Sequence, residues 1–169
     1  MKLTEIISVI PFYKSTLALD NIEINTIEMD SRMVNQGNLF VCINGFTVDG
    51  HEFAQQAVER GAVAIVAERE VEASVPIIIV PDTSRVLAMI ATKFYHDPTS
   101  QFPLIGVTGT NGKTTVTYLL EAIFNQYQMK TGVIGTIHLK IGDDAFPVKI
   151  RHQTRFFYNK HSKRWLISK

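Results

Sequence analysis

Gly106-Val107-Thr108-Gly109-Thr110-Asn111-Gly112-Lys113-Thr114-Thr115 is the stretch on which the reading of this chain turns. The apolar run Leu104–Val107 leads into it and predicts a strand. After it, apolar spacing predicts a helix from Thr114 to about Tyr127, and Gly132–Ile137 predicts a second strand. Strand, glycine-rich turn, helix and strand make a βαβ unit, the start of a parallel sheet covered by helices. Glycines let the backbone curl until several N–H groups point inward at phosphate oxygens. The following helix adds its positive N-terminal end. Gly109, Thr110, Asn111, Gly112, Lys113, Thr114 and Thr115 are therefore the candidate ATP-binding residues. Lys113 is the catalytic candidate, a mobile charge for the outer phosphates, and the Thr114 hydroxyl is the candidate magnesium ligand. Val107 stands where the standard phosphate-loop pattern has its first glycine, and Gly109 supplies the freedom instead. The plainer alternative is a glycine-rich turn with one solvated lysine; Gly-Lys-Thr-Thr at a helix start argues against it. The loop alone does not name a reaction, because kinases, hydrolases and ligases share it.

Upstream, Leu39–Ile43 reads as a buried strand between Gly37-Asn38 and Asn44-Gly45. Phe53, Ala54, Ala57 and Val58 suggest a helix stopped by Gly61. Ala62–Ala67 and Ile77–Val80 read as further strands. Asp82-Thr83-Ser84 can cap a helix whose apolar face holds Val86, Leu87, Ile90, Ala91 and Phe94. This alternation predicts an α/β layer structure. Asp97-Pro98-Thr99-Ser100 breaks the pattern. The expected organisation is a small N-terminal α/β domain over 1–97, a linker over 98–101, and over 102–148 the start of a P-loop-type parallel-sheet domain. Gly142-Asp143-Asp144 suits a hairpin turn.

Composition sets the outer limits. The chain has 169 residues, of which 46% are apolar, so a packed core is within reach. Lys plus Arg number 17 against 16 Asp plus Glu, which gives no global argument for nucleic acid or an anionic membrane as partner. The single cysteine, Cys42, lies in an apolar run and reads as a small core residue in a reducing compartment. The five histidines show no metal-ligand spacing. No stretch is long enough to cross a bilayer, and the N-terminus lacks a signal peptide's uncharged run, so the cytoplasm is the simplest address. Composition is silent on oligomeric state.

Thr108–Thr115 resembles the nucleotide loop of the Mur ligases, which build the peptide stem of bacterial peptidoglycan. Asp30-Ser31-Arg32, Gly37–Val41, Gly45, Asp49-Gly50-His51 and Gly61-Ala62 match the N-terminal domain of that family's muramoyl-tripeptide synthetases. The resemblance covers residues 1 to about 148. It implies an ATP- and Mg2+-dependent ligase joining an amino acid to UDP-N-acetylmuramoyl-L-alanyl-D-glutamate. ATP phosphorylates the glutamate carboxylate, the incoming amine attacks the acyl phosphate, and phosphate leaves. The resemblance places Met29, Ser31, Phe46, Thr47 and Val48 against the UDP end of that substrate. Read without it, Asp30 and Ser31 form a simple turn and Arg32 a surface ion pair. The next ligase of the pathway is a weaker match, because its loop usually has Ser where Thr110 stands. A non-catalytic nucleotide- or UDP-sugar-binding module is the rival from another class, and by themselves these residues are expected to bind rather than ligate.

Residues 149–169 have no Asp, Glu, Gly or Ala and are rich in Lys, Arg and His. Phe156, Phe157, Tyr158 and Trp165 among those charges invite a nucleic-acid reading. A shifted reading frame explains more. With one choice of codons, Lys149–Arg155 read from the third base spells Asn-Thr-Thr-Pro-Asp-Ala, and the family usually carries Thr-Thr-Pro-Asp at this point. The tail is expected to have no evolved function.

Overall fold

The computed structural model describes residues 1–45, 48–135, 138–142 and 144–147; Phe46, Thr47 and the 149–169 tail lie outside them. The chain divides into two compact units, Met1–His96 and one beginning at Asp97.

In the first unit, α1 (Leu3–Ile7) is followed by the short strand β1 (Lys14–Ser15). Then come β2 (Thr26–Glu28), a 3-10 turn over Ser31–Met33, and β3 (Asn38–Val41). A second 3-10 turn, Gly50–Phe53, runs into α2 (Ala54–Glu59), and β4 (Ala62–Ala67), β5 (Ile77–Ile79) and α3 (Thr83–Phe94) complete the unit. The sheet has the order β1-β5-β4-β3-β2. β2, β3, β4 and β5 run parallel, and only β1 is antiparallel, pairing Lys14 with Ile79.

The reason is visible in the central strands. Leu39, Phe40, Val41 and Cys42 are all buried, as are Ala64, Ile65, Val66 and Ala67. Continuous apolar runs of this kind suit strands covered on both faces, which parallel connections provide. Phe40, Cys42, Ile65 and Ala67 share one core cluster with Ala54 and Ala57 of α2. The opposite parity, Leu39, Val41, Ala64 and Val66, is fully buried on the other face. α3 presents Val86, Leu87, Ile90 and Ala91 as its buried stripe and packs against α1. Burying each large aliphatic is worth about 1.5–3 kcal/mol. That outweighs the few tenths of a kcal/mol that β-branched Thr83, Val86, Ile90 and Thr92 each cost in helix propensity, on the order of 0.5 kcal/mol. Asp82 caps the helix, accepting from the Arg85 N–H at 2.8 Å.

The second unit begins with a 3-10 turn at Pro98–Gln101, where the sequence suggested a linker. The strand expected at Leu104–Val107 does not form. This segment belongs to no ladder among the described residues, and Leu104 and Ile105 are exposed. Next come α4 (Lys113–Gln126), β6 (Gly132–Ile134), β7 (His138–Ile141) and β8 (Asp144–Pro147). β6, β7 and β8 form an antiparallel sheet. Pairing neighbours across a short turn costs little loop entropy, so β6 zips to β7 where the βαβ expectation had it parallel to Leu104–Val107. The hairpin expected at residues 142–144 is present, with Ile141 opposite Asp144. The parallel character of the fold therefore lies in the first unit's sheet.

Candidate functional site

Two groups of residues carry chemistry, one in each unit. In the second unit, Gly109 (φ +150°) and Gly112 (φ +75°) adopt backbone conformations that a side chain would strain. They wrap the loop into the first turn of α4, with Gly112 as its N-cap. The first helical bond runs from the Val116 N–H to the Gly112 carbonyl at 2.9 Å, so the N–H groups just before it have no partner within the helix. Lys113 folds back over the loop and donates to the Gly109 carbonyl and, at 3.3 Å, to the Thr110 carbonyl. Its ammonium thus lies against the backbone of the loop it follows. Gly109 to Thr115 are exposed throughout. Thr114 and Thr115 occupy the second and third helical positions, and the Thr117 hydroxyl bonds back to the Lys113 carbonyl at 2.8 Å. A flexed backbone, a helix N-terminus, an ammonium and hydroxyls fit a polyphosphate with a divalent cation.

In the first unit, the candidate residues follow the carboxyl ends of adjacent parallel strands. Met29 and Ser31 come after β2, and the loop from Ile43 to Val48 comes after β3. Ligands of open α/β sheets bind at this end. Met29 is half-buried and Val48 is exposed. Phe46 and Thr47 are not among the described residues. Ser31 is buried, and its hydroxyl donates to Gln56 Oε1 at 2.7 Å. The 3-10 turn rolls Ser31 inward against α2, which leaves its oxygen lone pairs rather than its proton for any ligand. Asp30 forms the turn read from sequence, accepting from the Arg32 N–H at 3.0 Å, and Arg32 grips both Asp30 oxygens in an exposed ion pair.

Sequence reasoning assigned no role to a set of polar groups beside this loop. Asp49 accepts from the His51 N–H at 3.0 Å and from His51 Nδ1 at 2.5 Å, while Arg69 donates to its other oxygen at 2.6 Å. These contacts, Arg69 foremost, hold the Asp49 carboxyl well below the usual carboxylate range. His51 is buried, and its Nε2 accepts from the Glu68 N–H at 2.9 Å. The ring is therefore the Nδ1-protonated tautomer. Glu68 in turn accepts from the N–H and hydroxyl of Thr83, each at 3.0 Å. Asp49-Gly50-His51 stood out in the sequence, but nothing there tied it to Glu68, Arg69 or Thr83.

These features define a class: a parallel α/β unit with loops at its strand ends, followed by a glycine-rich loop that opens a helix. The family profile "Mur ligase family, catalytic domain" matches residues 23–95, and "Mur ligase middle domain" matches residues 107–163. The chain belongs to the Mur ligase family. It is 55% identical over 150 residues to the UDP-N-acetylmuramoyl-L-alanyl-D-glutamate–2,6-diaminopimelate ligase of Oceanobacillus iheyensis, covering 88% of this chain and 30% of that protein. It is 56% identical over 127 residues to the Geobacillus thermodenitrificans protein of the same name, covering 75% of this chain and 26% of the relative. The chain thus spans under a third of the curated relatives it matches. Among solved structures, a ligase of that name shares the fold at TM-score 0.70, with 22% identity over 97% of this chain and 34% of that one. The MurF ligase of Thermotoga maritima in complex with ADP aligns at TM-score 0.55 and 27% identity, over 82% of this chain and 29% of its own.

Proposed function

We propose that the chain supplies the nucleotide loop and the UDP-substrate domain of a ligase adding 2,6-diaminopimelate to UDP-N-acetylmuramoyl-L-alanyl-D-glutamate. The observation that carries this is the loop itself, with Lys113 folded back onto the Gly109 carbonyl at the head of α4. The amino acid comes from the relatives' name, which favours diaminopimelate over L-lysine. In this reading Gly109, Thr110, Asn111, Gly112 and Thr115 hold the phosphates of ATP by backbone and side-chain donors. Lys113 exchanges its bonds to the Gly109 and Thr110 carbonyls for the outer phosphates, and Thr114 holds Mg2+. ATP supplies the phosphoryl group that makes the substrate's carboxylate a good electrophile. In the first unit, Met29, Ser31 and the Phe46–Val48 loop take the UDP end.

The 169 residues, which span under a third of the relatives' length, are proposed to bind without ligating by themselves. Calorimetry with ATP and Mg2+ checks the nucleotide site. Lys113→Ala should weaken binding about tenfold or more, the scale of a lost charge-assisted contact. Equal affinity in the two proteins would remove Lys113 from the site. Amide product formed by the purified chain would show that it ligates unaided.

A further inference from the structure

The geometry points to His51 as a positioning residue for the substrate loop, a role that rests on the proposal that this loop holds the UDP end of the substrate. The loop after β3 leaves the sheet at Cys42, whose N–H still bonds to Val66 of β4. It returns at Gly50, whose N–H bonds to the Ile43 carbonyl at 2.8 Å. Between these points Asn44 and Asp49 bridge, and the Gly45 N–H reaches the Val48 carbonyl at 3.1 Å. Three backbone links, Ile43 to Gly50, Asn44 to Asp49 and Gly45 to Val48, thus close the two arms of the loop on each other, and Asp49 lies on its returning arm.

Asp49 is where the loop meets the rest of the unit. Its carboxylate is gripped from three directions, by the His51 N–H, the His51 ring and Arg69. The ring in turn is fixed by the N–H of Glu68, just past the end of β4, and the Glu68 carboxylate is fixed by Thr83 at the start of α3. Glu68 therefore joins the two sides, its carboxylate held by Thr83 of α3 and its backbone N–H bonded to the His51 ring, which in turn holds Asp49.

His51 uses both ring nitrogens, Nδ1 donating to Asp49 and Nε2 accepting from the Glu68 N–H. Its side chain is almost wholly buried, at 1% exposure, so the ring is shielded from water in the folded chain. A loop held only by its own backbone bridges could still shift against the sheet, and a ligand would bear the cost of placing it. Tying Asp49 through Arg69 and His51 to residues 68 and 69, just past the end of β4, removes that cost before the ligand arrives. His51 acts through Asp49, and its effect is on affinity for the UDP end and not on chemistry.

The test measures UDP binding to the full chain by calorimetry, beside the thermal midpoint of each variant. His51→Ala removes both ring bonds and should weaken UDP about tenfold, or ~1.4 kcal/mol. His51→Asn places an amide N–H where Nδ1 stood, keeping the bond to Asp49 while losing the acceptor for Glu68. It should recover affinity to within about threefold of the parent, although it melts near the alanine variant. Leu87→Ala, a core truncation in α3, serves as the control and should lower the midpoint without changing UDP affinity. His51→Ala with parental affinity would overturn the assignment, as would Leu87→Ala weakening UDP as much as His51→Ala. Absence of UDP binding by the parent chain would instead sink the substrate-loop reading itself, and this inference with it.

Discussion

Cys42 illustrates how much a single residue's surroundings decide. Burial pushes its thiol up to about 12, with the Asp49 carboxylate adding to the effect. The native chain should therefore react with iodoacetamide at pH 8 about a hundredfold or more slower than the urea-unfolded chain. Comparable rates would mean that Cys42 is not sealed in the core. Its pKa is raised on folding, so the stability linked to it is complete below the unfolded value and is lost as pH rises toward 12. Asp49 has the opposite sign. Its folded value is depressed, so its contribution is complete above the ordinary carboxylate range near ~4 and is lost as pH falls through and below it. Urea midpoints at pH 7 and pH 3 should differ more for the parent chain than for Asp49→Asn, and identical differences would refute the linkage. Cys42 was legible as a core residue because its neighbours in the chain are all apolar. The buried state of Ser31 was not legible, because its partner Gln56 is 25 positions away and a glutamine in a helix carries no mark of what it faces.

Among the elements, those with strong periodicity came through from sequence with their type intact. β4 runs from Ala62 to Ala67 as the apolar run implies, and α3 has the stripe and cap expected of it. Leu104–Val107 was equally apolar and did not become a strand, because a strand is a property of a pair and its partner cannot be read from the segment itself. The turn at Gly61 offers a sharp test at this scale. Its φ is +108°, and an added Cβ would stand 2.7 Å from Gln36 Cα. Gly61→Ala should destabilise the first unit by about 1–3 kcal/mol, through the strained backbone and the clash with a neighbouring main chain. A urea titration that finds the variant as stable as the parent would show that the α2–β4 turn can relax.

At the scale of the molecule, the two units differ in how much apolar surface they bury. The first seals Leu3, Ile6, Ile27, Phe40, Ile65, Ile78, Leu87 and Ile90 almost completely. The second leaves Leu104, Ile105, Val116, Leu119, Ile123, Tyr127 and Met129 exposed. Hydrogen exchange should therefore protect β3, β4 and α3 strongly, while amides of α4 exchange at least about tenfold faster, since local stability follows buried contacts. Uniform protection across both units would contradict this. No helix among the described residues is long and apolar enough to cross a membrane.

The first unit's sheet also bears on how such chains behave when crowded together. Its flank beyond β5 is closed by β1, only Lys14 and Ser15 long, antiparallel to the rest and exposed. A neighbouring chain looking for a backbone to zip against finds two residues there, one of them a solvated lysine, and strand-by-strand aggregation has no template to grow from on that side.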